Sequence, residues 1–178
     1  LHRVDRRQRQ MCIRDRLETT LTINPDCIAV AEMKGGESMQ AINAANTGHS
    51  VITTIHANSC EDTYYRMVTL CKQEQPGMDD TTLQNLATKA FPIVAFAKRL
   101  EDNSRRIMEI TECETLQDGR KKMRTLYRFN ITDNIIVEGK PKIIGHYEKV
   151  ENLSEDLQKR LRENGLPLKM QEQLLAKR

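Results

Sequence analysis

Residues 24–36 read NPDCIAVAEMKGG and residues 46–59 read NTGHSVITTIHANS. Cys27 to Met33 is a short apolar run behind Pro25-Asp26 and is closed by Gly35-Gly36, the pattern of a strand buried on both faces in a parallel sheet. Val51 to Ile55 is β-branched throughout and reads as a second strand. Between the two, Glu37 to Asn46 is rich in Ala, places Met39, Ile42 and Ala45 at helical spacing, and stops at Thr47-Gly48. Strand, helix and strand in that order predict an α/β fold with parallel core strands.

Outward from this unit, Ser59 has N-cap chemistry, with Asp62 three residues on and acids in the first turn. The helix it starts would carry Cys60, Tyr64, Met67 and Cys71 on one face. Pro76-Gly77 breaks the pattern, and Asp79 to Phe91 resumes it with Leu83, Leu86, Ala87, Ala90 and Phe91 in helical register before Pro92. Three strands are then predicted, Ile93 to Lys98, Arg106 to Glu114 and Lys122 to Phe129, turning at Asp102-Asn103 and Asp118-Gly119. The last two alternate as an antiparallel pair would. A tail helix from Ser154 to Asn164 has Leu153, Leu157 and Leu161 in register and stops at Gly165 and Pro167, with a shorter helix after it.

Composition narrows the function classes. The 178 residues are 38% hydrophobic and 30% charged, which suits one soluble domain. No apolar run is long enough to cross a bilayer and no secretory signal is visible, so the expected location is cytoplasmic, without membrane insertion. Five cysteines without a C-x-x-C pair indicate neither a disulfide framework nor a zinc ribbon, and are expected to be reduced and mostly buried. With no Trp and 4% aromatics the chain lacks a stacking platform for single-stranded nucleic acid.

The formal charge of +3 is concentrated at one end, where residues 1–16 hold six Arg and two Asp; the remainder carries 22 basic against 23 acidic residues. A basic arm for nucleic acid or acidic lipid is one reading of LHRVDRRQRQMCIRDR. The other is a non-native segment, because no period in it could bury a face and QRQMCIRDR resembles translated adapter sequence. It is left out of the fold on that ground, and no direct nucleic-acid partner is expected.

The two opening blocks also hold the chemistry. Ligands of open α/β sheets sit at the carboxyl ends of strands, which is where Glu32 falls. A glutamate there can orient or deprotonate a water attacking a γ-phosphate, or hold Mg²⁺ through water. His49 and His56 flank the second strand, and their odd offset puts them on opposite faces, against a shared metal.

These blocks resemble the ATPases of type II and type IV secretion, most of all the CpaF-type tight-adherence (Flp) pilus assembly ATPases, over residues 17 to about 150. The resemblance implies the C-terminal part of a RecA-like P-loop NTPase domain, with parallel core strands, a peripheral antiparallel pair and a C-terminal helical tail. Residues 17–150 would be the domain portion and 151–178 the tail. By the same resemblance Asp26 begins the Walker B segment, Glu32 is its catalytic glutamate, and His49 and His56 are the histidine-box pair that senses nucleotide. Lys34 and Arg66 would contact nucleotide, Arg66 equally fitting an intersubunit or solvated role. ATP and Mg²⁺ are the implied cofactors. A homo-hexamer and an inner-membrane platform protein are the implied partners, at the inner face of the cytoplasmic membrane.

Departures accompany the resemblance. The family usually shows Arg where Thr22 stands, Gly at Ala31 and Arg at Lys34, so a planar guanidinium grip on phosphate is lost at two places. No G-x-x-x-x-G-K-[ST] loop occurs, and Gly139-Lys140 is followed by Pro141. The acidic box is missing too. The expectation is a fragment, inactive by itself, of a motor that is active when complete. A nucleotide-free module regulating a secretion platform and a conjugation-type ATPase are the alternatives, whereas the type II branch, which often carries a four-cysteine zinc element, fits less well. His146, Arg105 and Arg106 are expected at the surface, Lys159, Arg160 and Arg162 on the solvated face of the tail helix, and the eight methionines dispersed in the core.

Overall fold

A computed structural model of the chain describes residues 12, 15–116 and 118–176. The segment 1–16 set aside above therefore lies mostly outside the described residues; of it, Asp15 and Arg16 belong to a helical stretch over residues 15–23 that seats Leu17 in the core. Two compact units meet in sequence at Phe91 and Pro92, inside the block 17–150 expected as one portion, and the tail is counted with the second unit.

The first unit is built on β1 (Cys27–Val30), α1 (Glu37–Asn46) and β2 (Ser50–Thr53), followed by α2 (Cys60–Cys71) and α3 (Asp80–Ala90). β1 and β2 pair in parallel, Ile28 beside Val51 and Val30 beside Thr53, so α1 is the crossover of a β-α-β unit. Ile28 and Val30 are buried, together with Met39, Ala41, Ile42 and Ala44 of α1. The strands are covered on one face only, which corrects the expectation of burial on both. Ala29 and Ile52 are partners on the other face and both are exposed, Ile52 at 64%. Among the described residues β1 and β2 form a sheet of two strands.

The helices start where side-chain oxygens can take their free amides. Ser59 accepts from the Asp62 amide at 3.0 Å and Asp79 from the Thr82 amide at 2.8 Å. Cys60, Tyr64, Met67 and Cys71 are all buried, as their spacing required, and the Tyr64 hydroxyl donates to the Phe91 carbonyl at 2.6 Å. α1 is tied to α3 by Asn46, whose amide donates to the Leu86 carbonyl at 3.1 Å. Burial pushes the Cys71 thiol up to about 11. Cys60 and Cys113 are also buried and in no disulfide, and Cys27 is exposed.

The second unit is an antiparallel sheet in the order β3 (Ile93–Arg99), β4 (Arg105–Thr115), β5 (Lys121–Val137) and β6 (Lys140–Lys149). The expected pair is thus part of four strands; β5 runs eight residues past the predicted end, and β6 was not foreseen. Pro141 lies within β6, where the missing N–H does no harm because the strand is at the sheet edge. Leu100, Phe129 and Ile143 pack with Met108 beneath the sheet, and the Arg106 guanidinium lies 4.7 Å from the centre of the Phe129 ring. Arg106 is therefore engaged rather than free at the surface.

The tail forms α4 (Glu155–Glu163) and α5 (Leu168–Leu175), with Gly165 at φ +80° in the turn between them. Ser154 caps α4 by accepting from the Leu157 amide at 3.1 Å. The same serine donates its amide, at 2.8 Å, and its hydroxyl to the buried carboxylate of Glu112 on β4. Among the described residues no helix is long and apolar enough to cross a membrane.

Candidate functional site

Parallel pairing of β1 with β2 brings the residues just past their carboxyl ends together. Past Val30 the chain stays beside β2: the Thr54 hydroxyl donates to the Ala31 carbonyl at 2.6 Å, and the Met33 amide donates to the Thr54 carbonyl at 2.8 Å. Thr54 thus grips the backbone on both sides of Glu32. The carboxylate has one oxygen 2.7 Å from Lys34 Nζ and the other 3.1 Å from His56 Nε2. Glu32 is half-buried, whereas the His56 side chain is almost fully exposed.

The Lys34 ammonium, hydrogen-bonded to the Glu32 carboxylate, holds it below the usual carboxylate range, and the charges of Lys34 and His56 act in the same direction. A carboxylate so placed stays ionised around neutral pH. It accepts hydrogen bonds well and stores a proton poorly, so it is better fitted to aligning a water molecule than to keeping its proton.

After Lys34 the loop turns through Gly35 and Gly36 into α1. The Lys34 and Gly35 amides both donate to Oε1 of Glu37, at 2.6 and 2.9 Å, and Glu37 is only 6% exposed. An acid in the first turn suits the positive end of α1, and here it also satisfies two loop amides.

The structure joins Glu32, Lys34 and His56 and leaves the other expected site residues elsewhere. Asp26 precedes β1 and His49 precedes β2, so both lie at the amino ends of the strands, roughly 20 Å from Glu32 at about 3.3 Å per residue. Both ring nitrogens of His49 are shielded from solvent without a hydrogen-bond partner among the described residues. Arg66 is exposed on α2. Thr54 and Glu37 escaped the sequence reading. The threonine could have been found by aligning the two strands in parallel, but nothing in the sequence showed that Glu37 turns inward.

No three His, Cys, Asp or Glu side chains converge as metal ligands among the described residues. A groove lined by Leu17, Thr20, Pro25 and the edge of β1 ends at Glu32.

Residues 2–175 match the family described as Type II/IV secretion system protein. The chain belongs to this family. Its relatives include the type IV pilus assembly ATPase PilB of Pseudomonas aeruginosa, 29% identical over 163 residues, which are 88% of this chain and 27% of PilB. The type IV secretion system protein VirB11 of Brucella suis is 40% identical over 62 residues, 34% of this chain and 17% of VirB11. The crystal structure of the Brucella suis VirB11 ATPase in complex with sulphate superposes with a TM-score of 0.51 at 30% identity, covering 54% of this chain and 30% of that one. This secretion-family chain therefore has an α/β fold shared with a VirB11 ATPase, and spans less than a third of the length of each of these relatives.

Proposed function

We propose that the chain supplies the Walker B and histidine-box portion of an ATP-hydrolysing motor subunit of a pilus-assembly or secretion machine, with residues 17–150 in the ATPase domain and 151–178 as its tail. The observation that carries this reading is Glu32, an ionised carboxylate fixed at the carboxyl end of a parallel strand and facing His56 from the next. Hydrolysis needs a water oxygen directed at the γ-phosphorus. Glu32 accepts a hydrogen bond from that water and turns its lone pair toward phosphorus; the bond from phosphorus to the β,γ-bridging oxygen breaks, and the water proton leaves with phosphate. Lys34 offers its charge to phosphate oxygens, and His56 couples the state of Glu32 to movement of the segment after β2.

One carboxylate is too small a donor set to hold Mg²⁺ unaided, but it fits a contact through the ion's waters while nucleotide phosphates supply the rest; the ion would neutralise charge on those phosphates. The phosphate cradle would come from the remainder of the protein, as would a partner for the unsatisfied His49. The uncovered face at Ala29 and Ile52 and the open edge of β1 fit inner strands of a larger sheet. Asp26 and Arg66 then serve surfaces away from Glu32. Within the family we assign the tight-adherence pilus branch, a homo-hexamer, and work against an inner-membrane platform protein from the cytoplasmic side.

The test is Glu32→Gln in the protein carrying its complete ATPase domain. Phosphate release falls by about 100-fold or more while ATP binding changes by less than about 3-fold. Full turnover in that variant removes Glu32 from the reaction. A wild-type protein that binds no ATP replaces the motor with a nucleotide-free module on a secretion platform.

A further inference from the structure

We infer that Glu37 is a positioning residue for the site at Glu32, its buried carboxylate holding the Lys34–Gly35 backbone so that the Lys34 ammonium meets the Glu32 carboxylate. The inference rests on the motor reading for its catalytic consequence and on geometry alone for the anchor.

The loop between Glu32 and α1 is fastened at two points. Thr54 holds its beginning through the Ala31 carbonyl and the Met33 amide. Glu37 holds its end through the amides of Lys34 and Gly35, both donated to the same oxygen. Between the two fastenings lies Lys34, whose ammonium reaches back to Glu32. Gly36 closes the loop against Glu74, whose side chain would have to shift to admit a β-carbon there. Lys34 is itself solvent-exposed at 71% of its side chain, and its long, rotamer-rich stem gives it no fixed direction of its own. Its direction comes from the backbone beneath it, which Glu37 fixes. Removing the Glu37 carboxylate leaves two amides without a partner and lets Lys34 turn away, while Glu32 stays clamped by Thr54.

Both amides use one oxygen, so glutamine can replace glutamate at this position and methionine cannot. That difference makes the test. In the 178-residue chain, amide hydrogen exchange at Lys34 and Gly35 reads the anchor: Glu37→Met speeds exchange at both by about 10-fold or more, and Glu37→Gln stays within about 3-fold of wild type. In the protein with its complete ATPase domain, Glu37→Met lowers kcat by about 10-fold with KM for ATP changed by less than about 3-fold, and Glu37→Gln restores kcat. Thermal melting of all three proteins excludes general unfolding as the source. Unchanged exchange in Glu37→Met overturns the anchor whatever the turnover. Fast exchange with wild-type kcat overturns the positioning role and leaves the motor reading intact. A wild-type protein that does not hydrolyse ATP overturns the motor reading and the catalytic consequence with it, while the exchange data still decide the anchor.

Discussion

Glu32 and His56 are 24 positions apart in sequence, yet a carboxylate oxygen of one lies 3.1 Å from Nε2 of the other. The crossover through α1 returns the chain beside itself in the same direction, so the residues that follow the two strands emerge at one end. His49, which precedes β2 by one position, is carried to the opposite end by the same geometry. The two histidines therefore stand at opposite ends of β2.

This separation makes a prediction for the titration of Glu32. Its pKa is lowered mainly by the Lys34 hydrogen bond and less by His56. Lys34→Met should raise it toward the ordinary glutamate range, His56→Ala should raise it by less, and His49→Ala should leave it in place. The pairing is present above the ordinary range and is lost as pH falls through the lowered folded value. Carboxyl-carbon NMR titration of the 178-residue chain measures all three; an equal response to His49→Ala would contradict the strand register.

A second pH effect belongs to the turn between β3 and β4. Asp102 accepts from the Ser104 hydroxyl at 2.6 Å, the Ser104 amide at 3.0 Å and the Ile143 amide of β6 at 3.1 Å. The Ser104 hydroxyl first, then the Ile143 amide, hold its pKa below the usual range. Because the folded value is the lower one, the stabilisation exists above the ordinary aspartate range and disappears as pH falls through the folded value. Asp102→Asn should lower Tm at neutral pH, and the gap should close in acid. A gap that persists in acid assigns the loss to packing.

Much of the first unit was legible. The helix over Glu37–Asn46, the caps at Ser59 and Asp79, and both strands follow from local chemistry: apolar period, a capping oxygen, a glycine stop. β6 was not legible, because Pro and Lys are disfavoured in strands and only an edge position tolerates Pro141 and the lysines around it. Burial on both faces of β1 was read from composition, but composition reports what a strand can bury, and the described unit covers one face. Glu37 was hidden for a third reason. An acid at a helix start is ordinarily solvated, and only the turn at Gly35-Gly36 brings two amides onto it.

Tyr64 gives a stability prediction independent of any function. Its ring is buried at 2% exposure and its hydroxyl donates to the Phe91 carbonyl at 2.6 Å, joining α2 to the end of α3. Tyr64→Phe keeps the ring and leaves that carbonyl without this donor, at a cost of about 1–2 kcal/mol in urea unfolding. A smaller loss, below about 0.5 kcal/mol, would mean that water replaces the hydroxyl.

The last prediction concerns the joint between sheet and tail. Glu112, 3% exposed on β4, receives both the amide and the hydroxyl of Ser154, and that hydroxyl in turn caps α4 at the Leu157 amide. One serine oxygen thus serves the helix and the carboxylate together. Ser154→Ala removes the cap, at about 1 kcal/mol, and strips a buried carboxylate of one donor, for a further cost of about 1–3 kcal/mol. Ser154→Thr keeps the hydroxyl and should recover most of this if the buried site admits its methyl group. The loss should appear first in α4, as faster amide exchange over Glu155–Glu163, before exchange rises in β4 and β5, because the four-stranded ladder does not depend on the cap. Simultaneous loss of protection in tail and sheet would show instead that the tail is an integral layer of the second unit, and that Glu112 stabilises the whole of it.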